Sequence, residues 1–342
     1  MSKNKGEKGN LLLELFSEEI PARMQTGSEK QLTNLFEKSL INRDIGYGPI
    51  STFCSPRHLS VIIKNIDLKQ KNQIIEKRGP RLGSNEKAIH GFLKSNNIQE
   101  NDIVIKDTKN GKFYFYLNKI NGLNTSEVLP EIINEIINNF VWPKSQRWAY
   151  SELRWARPLR NILLLFNNQP IQGKVAIDKN NFLNFSTYTF GHRNENKKIE
   201  VENIDEYERL LENNYIILDR TKRRNRIIND IKLLLKDKDI KLLDDDYLLD
   251  EVLGLVEFPN VLVGNIDKQF MNLPKEVLIT AMKVHQKYFS IIDDKNNLVP
   301  KFLFVSNTIP KKERDKSIIE GNERVLKARL SDADFFWKTD TS

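Results

Sequence analysis

Two short apolar runs near the N-terminus, separated by a stretch with helical spacing, constrain the fold of this chain most strongly. Leu11–Phe16 and Leu59–Ile66 have the length and residue types of buried strands. Between them, four large apolar residues recur at intervals typical of one helix face, namely Leu32, Leu35, Phe36 and Leu40. The first 66 residues therefore predict a strand–helix–strand unit.

Strand-like and helix-like segments continue through the rest of the chain without regular alternation. Phe113–Leu117 and Arg160–Phe166 are typical of strands, whereas Val128–Val141 and Lys275–Lys287 have helical patterns. The sequence contains neither a Gly-x-Gly-x-x-Gly turn nor a Gly-x-x-x-x-Gly-Lys-Ser/Thr loop. The prediction is an α+β protein of mixed helices and strands in two or more subdomains, with no Rossmann or P-loop core.

The length of 342 residues is enough for about two domains. We expect four segments: a strand–helix–strand unit at 1–75, a helical and strand segment at 76–141, a basic strand segment rich in tryptophan and arginine at 142–200, and a helix-rich α+β segment at 201–342. Within the second segment, residues 76–110 are polar, with a helical pattern over Glu86–Ser95. Gly79–Gly83 has two glycines but is too short for a nucleotide loop, so it is interpreted as a mobile turn.

Cysteine and histidine are too scarce for several kinds of site. One cysteine, Cys54, excludes an internal disulfide framework, and with four scattered histidines it leaves no metal-binding pattern. Cys54 is expected to be a buried structural residue. The N-terminal apolar run is too short for a signal peptide, and no stretch reaches the ~18 apolar residues of a membrane span. We therefore expect a cytoplasmic protein without bound metal or membrane contact.

Positive charge is concentrated between residues 141 and 193. This stretch has eight lysines and arginines against two acidic residues, within a chain of net charge +8, and it holds three of the four tryptophans. Arginine suits forked phosphate contacts, and an aromatic face can stack on a base. The segment therefore indicates RNA binding, with these candidate residues: Lys144, Arg147, Trp148, Arg154, Trp155, Arg157, Arg160, His192 and Arg193. The alternative is that the tryptophans pack in a core and the arginines solvate the surface around them.

A second group of cations opens a helical pattern, and comprises Arg220, Lys222, Arg223, Arg224 and Arg226. Asp219 or Thr221 is positioned to cap this helix. A solvated helix face is the favoured interpretation of the group, and a phosphate partner is the alternative.

The sequence offers little evidence for catalysis by this chain. Glu18, Glu19, His285 and Lys287 are the only candidates for a hydrolytic or editing site, and their spacing does not require one. His192 and His285 are expected to be packed or bonded to the backbone. No catalytic residue is predicted.

Ten short blocks, taken together and in order, resemble the β subunit of bacterial tetrameric glycine–tRNA ligase. The blocks are Leu12–Arg23, Ser55–Leu59, Lys77–Pro80, Pro143–Trp148, Arg154–Arg160, Thr189–Arg193, Glu257–Pro259, Leu273–Ile279, His285–Phe289 and Gly321–Leu330. The resemblance extends from about residue 11 to about residue 338. Members of that family continue further, with a helical domain and an anticodon-binding domain, so the chain resembles their N-terminal half.

The resemblance implies a role in a two-subunit enzyme of α2β2 composition. In the family, the α subunit binds glycine and ATP and forms the adenylate, while the β subunit supplies most of the tRNA contacts. It therefore implies that this chain is not catalytic alone, binds no cofactor itself, and has the α subunit and the glycine tRNA as partners. The alternative is a scaffold for the α subunit, with RNA binding carried by the C-terminal half that the family has and this chain lacks.

Overall fold

The computed structural model describes residues 7–147, 151–236 and 238–341. Those residues form eight α-helices and sixteen strands, which are arranged in four sheets. The strands follow one another mostly as antiparallel neighbours, without the repeated crossovers of a Rossmann fold, and this confirms the α+β prediction. Within the described ranges, no helix is both long enough and apolar enough to cross a membrane.

The helices are α1 (Ala22–Asn42), α2 (Glu86–Asn96), α3 (Thr125–Asn139), α4 (Tyr207–Glu212), α5 (Arg220–Leu235), α6 (Asp246–Leu253), α7 (Lys275–Gln286) and α8 (Lys312–Thr341). The strands are β1 (Lys8–Ser17), β2 (Ile50–Cys54), β3 (His58–Asp67), β4 (Gln73–Arg81), β5 (Ile103–Thr108), β6 (Gly111–Ile120), β7 (Leu159–Phe166), β8 (Gln169–Pro170), β9 (Lys174–Ala176), β10 (Phe182–Ser186), β11 (Tyr188–Phe190), β12 (Lys198–Glu200), β13 (Ile240–Leu242), β14 (Pro259–Asn265), β15 (Phe289–Asp293) and β16 (Leu298–Asn307).

The N-terminal strand β1 lies at the centre of a seven-stranded sheet. The strand order is β2-β3-β1-β7-β10-β9, with β8 beside β7, and β1 is antiparallel to both of its neighbours. Leu11, Leu13 and Leu15 pack against α1 and α3, whereas Leu12 packs on the other face against α4 and the segment before it. Burial on both faces explains why β1 is a continuous apolar run rather than an alternating one.

A second, four-stranded sheet has the order β13-β15-β16-β14. Helices α5 and α6 cover one of its faces, where Ile227 and Leu253 meet Ile291. Helices α7 and α8 cover the other, where Leu278 and Leu326 meet Phe302. This part of the chain is therefore a sheet between two layers of helices.

Buried hydrogen bonds join the two sheet systems. The Arg223 guanidinium of α5 donates to the carbonyl oxygen of Cys54 at 3.1 Å and to those of Ile217 and Leu218 at 2.6 and 2.7 Å. Gln25 of α1 donates to the carbonyl oxygen of Gly254 at 2.7 Å. The expectation of a solvated face was wrong for Arg223, because its side chain is fully buried and donates hydrogen bonds to backbone carbonyl oxygens.

The other cations of that group are at the surface and have protein partners. Lys222 pairs with Glu212 at 2.7 Å, and Arg224 pairs with Asp246 at 2.6 Å. The Oδ1 atom of Asp219 accepts from the amides of Thr221 and Lys222, so Asp219 is the cap that the sequence indicated. A phosphate is not needed to explain this helix end.

The segment interpreted as polar with one helix contains two further strands. β4, β6 and β5 form a three-stranded sheet in that order, beside α2. The turn expected at Gly79–Gly83 was wrong for Gly79–Arg81, which continue β4 through a register shift. β4 is an edge strand, where proline is tolerated, and it has no buried residue, so its sequence lacks the apolar alternation of a strand.

Candidate nucleic-acid interface

Loops that are far apart in sequence meet at one edge of the seven-stranded sheet. Because β1 is antiparallel to β3 and β7, the end of β1 lies beside the starts of both neighbours, with Phe16 opposite His58. The amide of Ser17 donates to the carbonyl oxygen of Arg57 at 2.9 Å, and that of Glu18 donates to Pro158 at 3.0 Å. The topology therefore brings Glu18, Arg57 and Arg157 together.

These loops line an open groove of roughly 420 Å³, bordered by Glu18, Glu19, Arg57, Arg157, Arg193 and Asn196. Arg160 pairs with Glu18 at 2.8 Å, and Arg193 pairs with Glu19. Both pairs are exposed, so they orient the side chains more than they stabilise the fold. Three arginines against two glutamates leave the lining with a net positive charge.

Arg57 and Arg157 contact a ring and a backbone carbonyl, whereas Arg160 and Arg193 form ion pairs with glutamates. The Arg57 guanidinium lies 4.5 Å from the centre of the Phe16 ring, a cation–π contact. Arg157 donates one Nη1–H to the carbonyl oxygen of Ala156 at 2.8 Å. Guanidinium N–H groups beyond these contacts face the groove, and their planar fork matches the oxygens of a phosphate or carboxylate.

Three further cations lie on the adjoining loops, two of them before residue 148 and one after residue 150. Gln146 and Trp155 form an isolated antiparallel bridge, with N···O distances of 2.9 and 3.3 Å, which places Arg147 across from Arg154. Lys144, Arg147 and Arg154 are exposed, and no ion pair to any of them occurs among the described residues. The two loops thus present a row of three exposed cations next to the groove, against one exposed carboxylate, Glu152.

The structure places Trp155 in the core rather than at the surface. Its ring is fully buried and lies 5.0 Å from the rings of both Phe140 and Trp142. It packs beneath the arginine loop and has no face open to a nucleobase, so we leave it out of the interface. Trp148 lies outside the described residues.

His192 is also an interior residue, as expected for a packed histidine. It is buried, and its Nε2 lies 3.0 Å from Oδ1 of Asn307 on β16. Burial lowers the pKa of His192, which favours the neutral ring. Arg193, the next residue, is exposed at the groove, so only the second member of this predicted pair is at the surface.

Sequence reasoning missed a buried polar network behind the groove. His58 Nδ1 lies 2.8 Å from Glu257 Oε1, and His58 Nε2 lies 3.0 Å from the carbonyl oxygen of Phe190. Ser55 also donates to Glu257, at 3.2 Å. These residues lie in blocks that the sequence analysis had singled out, but the pattern gives no sign that Glu257 meets His58 across 199 positions.

A second buried carboxylate, Glu14, belongs to β1 itself and lies on the same face of the sheet as His58. Glu14 accepts from the Thr189 hydroxyl at 2.6 Å and from the Tyr207 hydroxyl, and Ser60 lies 2.8 Å from that same Tyr207 oxygen. Burial raises the pKa of Glu14 and outweighs the lowering by nearby His58. These hydrogen bonds hold β1 in place, and the residues that follow β1 line the groove.

The four residues considered for hydrolysis do not form one site. Glu18 and Glu19 are at the groove, paired with arginines, whereas Lys287 pairs with Glu251 at 3.0 Å. His285 is exposed on α7 and faces α8, so the expectation that it is packed was wrong. Within the part of the chain that the structure describes, no group of acidic, histidine or cysteine side chains could hold a metal ion.

Comparison with known proteins identifies close relatives. The family model described as "Glycyl-tRNA synthetase beta subunit" matches residues 11–342. The glycine–tRNA ligase β subunit of Rickettsia canadensis (strain McKiel) is 41% identical over 331 residues, which is 96% of this chain and 48% of the relative. Those of Rickettsia bellii (strain OSU 85-389) and Rickettsia felis are 41% and 39% identical, over 97% and 96% of this chain and 49% of each relative. The chain spans about half the length of these relatives.

Proposed function

The chain belongs to the glycyl-tRNA synthetase β subunit family, and from that premise we propose that it binds tRNA and positions it for a catalytic α subunit. The single observation that carries this proposal is the row of exposed cations beside the groove. Lys144, Arg147 and Arg154 have no acidic partner among the described residues, and Arg157 faces the groove. Such a row suits the phosphates of an RNA backbone.

The mechanism that we propose is positional. A tRNA held on the cation row has its acceptor end kept within reach of the partner's active site, which turns an encounter between two molecules into a step within one complex. Binding of ATP and glycine and the chemical step itself are assigned to the α subunit. The printed name of the relatives, β subunit, supports the existence of such a partner.

A second candidate function is docking on the α subunit, with little RNA contact by this half. The observation that favours it is the pairing of Arg160 and Arg193 with Glu18 and Glu19, because a groove of mixed charge also suits a protein surface. Salt dependence separates the two candidates. Phosphate contacts give the chain an affinity for tRNA that falls steeply as salt rises, whereas docking alone gives this half little affinity for tRNA at any salt concentration.

The test of the proposed function is glycine charging by the purified α subunit, with and without this chain. An increase in charging on addition of the chain is expected. No increase would place the essential contacts elsewhere and favour the docking function.

The cation row itself is tested by tRNA binding of the Arg154→Ala/Arg157→Ala double variant, measured by filter binding at low salt. We expect weaker binding with an unchanged melting temperature. The matched control is Arg324→Ala/Arg329→Ala, which removes two exposed arginines from α8 and the same charge. Equal affinity of both variants would contradict the assignment of the row.

A further inference from the structure

The three-stranded sheet β4-β6-β5 stands apart from the two cores. None of residues 67–124, all of which the structure describes, is buried. Its base is attached to the end of α1, where Gln70 donates to the carbonyl oxygen of Arg43 at 3.1 Å and Gln73 to Asp44 at 2.7 Å. Large apolar side chains are left in solvent, with Ile74 60% exposed.

Helix α2 covers one face of this sheet. Lys77 of β4 donates to Asn96 of α2 at 3.1 Å, and the Phe92 ring of α2 fills the space next to Gly79. Lys77 is paired with Tyr116, so the two share this covered face. Side chains at alternate positions point to the other face, which no helix in the described ranges covers.

The open face has a row of rings bordered by cations. Its central strand β6 contributes Phe113, Phe115 and Leu117. The flanking strands contribute Ile74, Arg78 and Arg81 from β4 and Lys106 from β5. Ile74 is paired with Lys119 of β6.

Contacts on this face hold the cations against the rings. The Arg78 guanidinium lies 3.6 Å from the centre of the Phe113 ring, and Lys106 Nζ lies 5.7 Å from that of Phe115. The acidic residue at the centre of the face, Glu76, pairs with Lys106. With Lys119 at the end of β6, four cations stand against this one carboxylate.

We propose that this face binds a single-stranded segment of RNA, with bases stacked on Phe115 and on the Arg78 guanidinium that lies over Phe113, and with phosphates contacted by N–H groups of Arg78, Arg81, Lys106 and Lys119. Aromatic side chains on a sheet bordered by basic residues form a platform for unpaired bases. Two positions along a strand are about 6.8 Å apart, twice the rise per nucleotide of a stacked helix, which suits bases drawn apart from one another. The inference rests on the RNA-binding role proposed above and adds a second site, specific for unpaired nucleotides.

The test uses the full chain and a 5′-fluorescein-labelled RNA of twelve nucleotides, of mixed sequence without self-complementarity, followed by fluorescence anisotropy. Phe113→Leu/Phe115→Leu keeps the face apolar but removes both rings, and we expect binding about tenfold weaker or more. The matched control is Tyr114→Leu, which removes a ring of β6 from the covered face. Its affinity for the labelled RNA is expected to equal that of the unmodified chain.

A second pair of variants tests the cations and leaves both phenylalanines in place. Arg78→Gln/Arg81→Gln is expected to lower the slope of log affinity against log salt by about 1.4, which is two contacts on a single strand. Lys87→Gln/Lys94→Gln removes the same charge from exposed positions of α2 and is expected to leave the slope unchanged. Far-ultraviolet circular dichroism identifies any variant that has lost the sheet. If the arginine variant has lost it, the phenylalanine variant and its control test the inference, and the reverse holds if the phenylalanine variant has lost it.

The outcomes separate this inference from the proposed function. Absence of binding by the unmodified chain, or equal affinity of the phenylalanine variant, overturns the inference, whatever Arg154→Ala/Arg157→Ala does to tRNA binding. Loss of single-stranded binding in the phenylalanine variant, with tRNA binding unaffected by the arginine variant, supports the sheet site and contradicts the cation row. Loss of binding to purified α subunit instead of RNA would make the face a protein surface and overturn the inference.

Discussion

His58 and Glu257 form a fully buried ion pair that joins the two sheet systems, with 2.8 Å between Nδ1 and Oε1. The other ring nitrogen of His58 lies 3.0 Å from the Phe190 carbonyl oxygen. A carboxylate and a carbonyl can only accept, so both ring nitrogens donate and His58 is the charged imidazolium. Burial disfavours this charge, but Glu257 and Glu14 outweigh it and raise the pKa of His58.

Glu257→Gln is therefore predicted to destabilise the chain in a pH-dependent way. The raised pKa of His58 contributes stability that is complete below the unfolded value of about 6.5 and is lost as pH rises through the folded value. Near pH 6 we expect a loss of about 3 kcal/mol in the free energy of unfolding, because a buried charge loses its partner. The loss should shrink as pH rises.

Urea unfolding at a series of pH values measures this difference. The double variant His58→Gln/Glu257→Gln serves as the control, since it has no titrating pair and the pH dependence that it keeps comes from other groups, such as His192. A cost of Glu257→Gln that stays constant across the series would mean that His58 is neutral in the folded chain.

Arg223→Leu is predicted to be among the most destabilising changes on α5. The variant keeps an apolar stem but leaves the carbonyl oxygens of Cys54, Ile217 and Leu218 without their buried donor. We expect a loss of about 3 kcal/mol in the free energy of unfolding, measured by urea titration.

Arg224→Leu is the matched control for that change. Arg224 is the next residue of α5 and pairs with the exposed Asp246, so its loss should cost about 0.5 kcal/mol. Similar costs for the two variants would show that the Arg223 hydrogen bonds contribute little.

The elements of the two cores could be predicted from the sequence because burial leaves a local apolar pattern, which is periodic in α1 and continuous in β1. The spacing of Leu32, Phe36 and Leu40 predicts α1, and the run from Leu11 predicts β1. β4 could not be predicted in this way. All of its side chains are at least partly exposed, so the strand has no apolar alternation in its sequence. The backbone hydrogen bonds that pair it with β6 do not depend on hydropathy.

The candidate interface was predictable in composition but not in arrangement. Clustered arginines indicated a basic surface, and Arg147, Arg154 and Arg157 are at the surface. Tryptophan carries no such information, because the same ring serves a core or a binding face, and Trp155 is in the core. The groove depends on which strands are neighbours, and that follows from long-range pairing rather than from local sequence.

Two glycines allow opposite predictions from the same substitution. A Cβ at Gly254, where α6 ends, would lie 2.5 Å from the Cα of Ala22 on α1. Neither backbone can move freely there, so Gly254→Ala should cost about 2 kcal/mol. At Gly321, inside α8, a Cβ meets no atom within 4 Å, and Gly321→Ala should stabilise the chain by up to about 1 kcal/mol.

Thermal unfolding of both glycine variants checks the signs together. The melting temperature should fall for Gly254→Ala and rise or stay level for Gly321→Ala. A stable Gly254→Ala variant would show that α1 and α6 are less closely packed in solution than in the structure.

The position of Arg147 across from Arg154 makes a quantitative prediction about salt. If each contacts one phosphate of tRNA, Arg147→Ala/Arg154→Ala should reduce the slope of log affinity against log salt by about 1.4 to 1.8. Arg324→Ala/Arg329→Ala should leave the slope unchanged, since those arginines lie on α8. Binding is measured between about 50 and 200 mM salt. A lower affinity with an unchanged slope would mean that the loop arginines position other groups and do not touch phosphate.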